Sequence, residues 1–276
     1  MAISNAPGTE DALLFDEHGG VATLTLNRPD ARNALTPAMF LDMERMLLEI
    51  EADNAVRAVV LTGSGRSFSA GADLKPVSTE ERRRPEAPSF PDDRGGDILD
   101  RGNRCIRLLR QLPKPVVGSI NGDAVGAGCS LALATDLRIA SEAARFGVVF
   151  ARIGLGPDAG ASTLLRELVG TAKALELLFL GDLIDAAEAL RLGLVNRVVA
   201  QDALTDATAE LAERLAHGPT LAFGFAKEAV HAGANLPFES LLDLEARNQK
   251  VAFRSHDARE GIRAFRERRK PEFRGR

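Results

Sequence analysis

Tryptophan and tyrosine are absent from the 276 residues, so phenylalanine, present 13 times, is the only aromatic. Two side chains common at recognition surfaces are thereby removed. Cysteine is nearly as scarce. Cys105 and Cys129 are the only two, and neither joins a histidine at metal-site spacing, so neither a disulfide framework nor a zinc site is indicated and a reducing cytoplasm fits best. The four histidines, His18, His217, His231 and His256, form no ligand spacing and read as surface or helix-end residues. There is no basic surplus either: the net charge is −4, which argues against a nucleic-acid partner. No run approaches the ~20 apolar residues that a bilayer span needs. Met1 to Gly8 lack the basic start and apolar core of an export signal, so the expectation is a protein neither exported nor membrane-spanning.

What is present is ordinary globular material. With 45% hydrophobic residues, the chain can bury about three quarters of its unfolded surface in one large or two smaller domains. Ala12 to Phe15 and Val21 to Leu26 flank Glu17-His18-Gly19-Gly20, whose turn residues predict a hairpin. Thr36 before Pro37 reads as a helix N-cap and first helical residue. Met39, Phe40, Met43, Met46, Leu47 and Ile50 then share one helical face, a Met-rich stripe that belongs in a core. Ala58 to Leu61, Val116 to Ile120 and Leu137 to Ala140 predict strands; Ile106 to Leu112 and Leu131 to Ala134 predict helices. From Pro76 to Arg104 the pattern dissolves into charge runs and prolines, which reads as a long loop or a loosely attached helix and as a pocket wall. Beyond residue 160 the pattern is mainly helical, with stops at Gly170 and Gly181, a capping-box-like start at Asp185 to Glu188, and helices near 203–217, 221–231, 238–254 and 258–269. A strand-rich core over 1–200 and a helical region over 201–276 is the expected division.

Two small-residue segments carry the chemistry. Ser67-Phe68-Ser69-Ala70-Gly71-Ala72-Asp73-Leu74 follows the strand at Ala58 to Leu61, and Asn121-Gly122-Asp123-Ala124-Val125-Gly126-Ala127-Gly128 follows the strand at Val116 to Ile120. Each can present bare backbone N–H groups at a strand end. Two such donors converging on one oxygen form an oxyanion hole, which stabilises a transition state by roughly 3 to 4 kcal/mol per donor. The bland alternative is that Gly71, Gly126 and Gly128 merely permit tight turns.

These segments also carry a resemblance. Together with Asn27-Arg28-Pro29-Asp30-Ala31-Arg32-Asn33-Ala34-Leu35, Ala134-Thr135-Asp136-Leu137, the run Ala187 to Val195 and Glu260-Gly261-Ile262-Arg263-Ala264-Phe265, they resemble the enoyl-CoA hydratase/isomerase (crotonase) superfamily, in family order along most of the chain. The resemblance implies an α/β fold: a crotonase-type spiral of ββα units followed by a C-terminal helical trimerisation region, as a trimer or dimer of trimers. It implies acyl-CoA thioesters as substrates and no cofactor apart from the CoA that is part of the substrate. The amides of Ala72 and Ala127 stand at the two oxyanion positions. Ala127 replaces a frequent glycine, which serves if its φ is negative. Arg28, Ala31, Ala70, Asp73 and Leu74 stand at positions lining the CoA moiety, although Arg28 also reads as a plain surface arginine. Phe265 and Arg268 match positions that reach an adjacent subunit's adenine nucleotide; their plain reading is a core Phe and a solvated Arg.

The departures from the family pattern separate the possible reactions. Where a hydratase of this family carries its two glutamates, this chain has Ser130 and Phe150, acyl-pocket positions without a usable acid or base. Asp158, in Gly156-Pro157-Asp158-Ala159-Gly160-Ala161-Ser162, resembles the single carboxylate of Δ3,Δ2-enoyl-CoA and epoxyphenylacetyl-CoA isomerases. Its competing reading is a helix cap, which would lower its pKa where a useful base needs it raised. An isomerase is therefore favoured over a hydratase, with a non-catalytic acyl-CoA-binding protein as a third possibility. Gly128-Cys129-Ser130 is also a partial match to a nucleophile elbow with a histidine elsewhere as base, but no strand runs directly into it.

Overall fold

The computed structural model describes residues 12–74 and 94–276. The hairpin predicted at the start forms, with β1 (Leu13–His18) antiparallel to β2 (Val21–Leu26). β2 then pairs in parallel with β3 (Ala58–Gly63), and β5 (Val116–Ile120), β7 (Leu137–Ser141) and β10 (Arg197–Val199) extend a six-stranded sheet in the order β1-β2-β3-β5-β7-β10. Its central strands are near-continuous apolar runs because both faces are covered. Val59 and Leu61 enter the main core, whereas Val60 points to the other face and packs with Val117 and Ala212. The two-residue period of a strand thus divides one short sequence between two cores.

α1 (Pro37–Ala52) covers the first face. Thr36 caps it, its Oγ1 accepting from the Met39 amide at 3.2 Å, and all six residues of the predicted stripe are buried. α2 (Arg94–Gln111) packs against α1. It begins well before Ile106, where the sequence pattern placed its start; the residues ahead of Ile106 are mostly polar, which hides the helical period, and among the described ones Ile98 packs against the core. The remainder of the expected pocket wall, residues 76–93, lies outside the described residues. α6 (Leu204–Ala216) lies on the opposite face, where Ala212 meets Val60 and Val117.

A second sheet was not visible in the sequence. β4 (Ser67–Ser69), β6 (Asp123–Val125), β8 (Arg145–Gly147) and β9 (Ile184–Asp185) form it in that order. β4 steps two residues, Ser67 to Ser69, while β6 steps one, Asp123 to Ala124, so Phe68 is an extra residue in the ladder. Two- and three-residue strands are too short to show a period, so no pattern announces them.

The helical part follows the predicted stops and starts. α3 (Ala127–Leu133) starts earlier than Leu131. α4 (Ala161–Leu180) is broken at Gly170, which has φ +74°, and ends at Gly181. α5 (Ala186–Arg191) begins at Asp185, whose carboxylate accepts from the Glu188 amide at 2.8 Å. α7 (Thr220–Gly233), α8 (Phe238–Ala252) and α9 (His256–Glu267) follow. Lys227 ties α7 to the large sheet: its Nζ lies 2.8 Å from the Asp136 carboxylate, which also accepts from the Val116 amide. Burial lowers the Lys227 pKa, an effect the Asp136 charge opposes.

Candidate active site

The first segment is held from behind by the loop that follows β2. Arg32 and Asn33 both have left-handed backbones, at φ +50° and +55°. For arginine this is uncommon, and asparagine tolerates it better. The fully buried Asn33 amide fixes the turn: its Oδ1 accepts from the Arg28 amide at 2.8 Å, and its Nδ2 donates to the carbonyls of Ser64 at 2.9 Å and Ser67 at 2.7 Å. Main-chain bonds from Ala70 to Arg32 and from Leu35 to Gly71 extend the seam.

Orientation of the first donor follows from one parallel bridge. Leu35 donates to the Gly71 carbonyl and accepts from the Asp73 amide, both at 2.8 Å, which pairs Leu35 with Ala72. In that geometry residue 35 uses both its polar groups on the neighbours of Ala72, so the Ala72 N–H points away from Leu35. Gly71 makes the turn possible at φ +93°. It also lies hard against the second segment. A methyl group on Gly71 would sit 2.8 Å from the Val125 carbonyl oxygen and 3.4 Å from the Ala127 nitrogen.

The second donor heads a helix. Gly126, at φ +55° and ψ −126°, turns the chain from β6 into α3, and Ala127 is the first helical residue. An amide in a first helical turn has no carbonyl four residues back to receive it. Ala127 is not among the positive-φ residues, so alanine serves here as the sequence reading required. Glycine at 128 is needed for contact with the first segment, since a Cβ there would lie 2.6 Å from the Ser69 carbonyl oxygen and 2.7 Å from its Cβ. The plain reading of these glycines as turn formers is thus incomplete, because they also bring the Ala72 and Ala127 turns into contact.

Asp158 reaches this region through Ser130. The Ser130 hydroxyl, fully buried one turn into α3, lies 3.4 Å from the Gly126 carbonyl oxygen and 3.3 Å from that of Asp158. The helix-cap reading of Asp158 fails. The N-cap of α4 is Gly160, with no side-chain cap, and the left-handed Ala159 at φ +48° carries the chain past the position where Asp158 could cap. Its carboxylate Oδ1 is instead buried with no hydrogen-bond partner among the described residues. Burial raises the Asp158 pKa from its ordinary value. The nucleophile-elbow reading fails as well. Ser130 faces two carbonyls, and the histidines it would need bond elsewhere: His217 with Glu213, His231 with Arg110 and His256 with Asp257.

The other expected site residues divide into two groups. Arg28 is not a plain surface residue: its guanidinium donates to the Ala34 carbonyl at 2.6 Å and to the Asp73 carboxylate at 2.9 Å, joining two of the CoA-lining positions. Ala31 ends the short 3-10 turn Pro29–Ala31 beside them, and Ala70 and Leu74 are exposed. Phe150 sits buried in the 3-10 turn Val149–Ile153. Phe265 and Arg268 are not brought to this site within one chain. Phe265 is 85% exposed, which overturns its reading as a core residue, and Arg268 is the left-handed C-cap of α9. A separate cavity of about 860 Å³ bordered by Arg32, Arg66, Asn121, Asp123 and Arg145 contains none of the expected catalytic residues. Among the described residues no cluster of histidine, cysteine, aspartate and glutamate could hold a metal ion. Sequence reasoning quoted Asn33 and Ser69 inside motifs but gave them no role, because a buried amide's partners lie far along the chain.

Known proteins similar to this chain include several named for acyl-CoA chemistry. The family model described as enoyl-CoA hydratase/isomerase matches residues 16–276. The chain is 39% identical to 1,2-epoxyphenylacetyl-CoA isomerase of Escherichia coli, over 93% of this chain and 95% of that one. It is 37% identical to the short-chain-enoyl-CoA hydratase of Clostridium acetobutylicum, over 94% and 96% respectively. Among solved structures, an enoyl-CoA hydratase from Bacillus anthracis superposes with a TM-score of 0.88 at 32% identity, covering 96% of this chain and 100% of that one.

Proposed function

The chain belongs to the enoyl-CoA hydratase/isomerase family, and on that premise we propose that it shifts a double bond in an acyl-CoA thioester, with Asp158 as its single base. The thioester oxygen lies between the amides of Ala72 and Ala127. In a 3-enoyl thioester the Asp158 carboxylate removes a proton from C2, and the electron pair passes to the carbonyl oxygen, giving a dienolate held by the two donors. The protonated carboxyl then returns the proton to C4 as the double bond settles between C2 and C3. One group suffices for both transfers. A ring-opening isomerisation of an epoxyphenylacetyl thioester, suggested by the name of the E. coli relative, is a variant of the same reading.

The observation that carries this reading is the half-buried Asp158 carboxylate, whose Oδ1 is shut off from solvent without a hydrogen-bond partner among the described residues and whose pKa is raised by desolvation. A carboxylate so placed is a stronger base than one in water. Ser130 and Phe150, at the positions the family resemblance gives to hydratase glutamates, bring no second carboxylate. Arg28 and Asp73 border the CoA moiety, joined by their ion pair. Val230, Phe238, Phe253 and Phe265 expose large apolar surfaces on α7 to α9. Burial of that surface supports a homotrimer or a dimer of trimers, in which Phe265 and Arg268 meet the nucleotide of a neighbour's substrate.

The test is the gain of conjugated-thioester absorbance from a 3-enoyl-CoA. Asp158→Asn is expected to lower turnover by roughly 10²- to 10⁴-fold, the usual range for loss of a general base. Full activity in that variant overturns the mechanism. The name of the Clostridium relative favours a second reading, hydration of a 2-enoyl-CoA; robust loss of crotonyl-CoA absorbance would establish it. Binding of acyl-CoA without either turnover would leave a binding protein.

A further inference from the structure

The Ser69 side chain touches both turns of the proposed oxyanion hole. It is fully buried at the end of β4. Its hydroxyl donates to the Asn33 carbonyl at 2.8 Å and accepts from the Gly71 amide at 3.2 Å, so both its hydrogen and a lone pair are used. The Gly71 amide opens the peptide plane just before the one that carries the Ala72 N–H. On the other side, the Cα of Gly128 is pressed against Ser69 so closely that a Cβ there would lie 2.7 Å from the hydroxyl oxygen. Gly128 follows Ala127 directly. One short side chain therefore lies between the two donor turns, bonded to the first and in contact with the second.

We propose that Ser69 is a positioning residue that fixes the separation and aim of the Ala72 and Ala127 amides, and so the polarisation of the bound carbonyl. This rests on the oxyanion-hole reading above. Without the hydroxyl, the Gly71 amide and the Asn33 carbonyl lose a partner in a buried place, and the Gly71 peptide is free to rotate toward another acceptor. Misalignment of a donor harms the transition state more than the ground state, because charge on the oxygen grows during reaction. The expected signature is a fall in kcat with little change in KM.

The test uses a 3-arylacryloyl-CoA thioester, whose long-wavelength absorption moves red when donors polarise its carbonyl. The wild-type protein is expected to shift the bound chromophore red. Ser69→Ala is expected to lose most of that shift and to lower kcat roughly tenfold, the rate equivalent of one displaced hydrogen bond. Ser69→Cys, close in volume but a weaker donor, should fall between the two and serves if the alanine variant folds poorly. Asp185→Ala, which removes the α5 cap on an element outside both donor turns, should lower stability and keep the full red shift. A wild-type protein without any shift would refute the oxyanion-hole reading itself. A normal shift and kcat in folded Ser69→Ala or Ser69→Cys would overturn the role of Ser69 alone, as would an equal loss of shift in Asp185→Ala.

Discussion

The two halves of the candidate site are built in opposite ways. Around Ala72, buried polar atoms find partners: Asn33 uses both ends of its amide, Ser69 both faces of its hydroxyl, and Leu35 both main-chain groups. Around Asp158, a carboxylate oxygen is buried with none among the described residues. Donors that must already be aimed when charge appears gain from such over-determination, because they then reorganise little. A base gains from the reverse, since each hydrogen bond to its charged form would weaken it. Rigidity at the donors and deprivation at the base are what the proposed reaction would require of each, and Ser130 links the two regions through the Asp158 main-chain carbonyl.

The contrast can be broken from either side. On the donor side the largest effect is expected from Ala72→Pro, which deletes one donor N–H while leaving the Leu35 bridge its partners; turnover should fall by roughly 10²- to 10³-fold. Steady-state kinetics on a variant with native circular dichroism checks this, and unchanged turnover would remove Ala72 from the hole. A smaller effect of opposite sign concerns stability. The folded-state pKa of Asp158 is raised above its unfolded value, so its favourable contribution is complete below the unfolded pKa and is lost as pH rises through the folded one. Asp158→Asn should therefore be more stable than wild type at neutral pH, with the advantage vanishing in acid. Thermal melts across pH would show this, and a variant less stable at pH 7 contradicts it. By the same shift, the acid limb of the rate profile should lie above the ordinary carboxylate range. The smallest effect is remote from both halves: Asp185→Ala removes the cap of α5 and should cost about 1 kcal/mol in denaturant unfolding, with kcat unchanged.

Much of this was legible in the sequence, for reasons tied to particular residues. The Met stripe of α1 repeats at helical spacing, the β3 and β5 runs are apolar on both faces, and Thr36, Gly170, Gly181 and Asp185 punctuate the chain where they stand in the fold. The two donor segments were visible because a bare amide requires small neighbours. The role of Asp158 was not settled, since an aspartate before a helix reads equally as cap or base until Ala159 and Gly160 are seen to intervene. The second sheet was missed because its strands are shorter than any period. Asn33 and Ser69 were missed because their partners are set by the fold and not by spacing.

The extra residue in β4 carries a further consequence. Peptide directions alternate along a strand, and the ladder between β4 and β6 is counted out with Phe68 unmatched. Ser69 owes its place opposite Ala124 to that count. Deleting Phe68 would leave Ala72, Ala127 and Asp158 in the chain, yet would shift Ser69 out of the register that sets its hydroxyl between the Asn33 carbonyl and the Gly71 amide. The proposed hole is thus encoded partly as a length, and a one-residue edit in this strand would disturb it while every residue proposed for the reaction stayed in place.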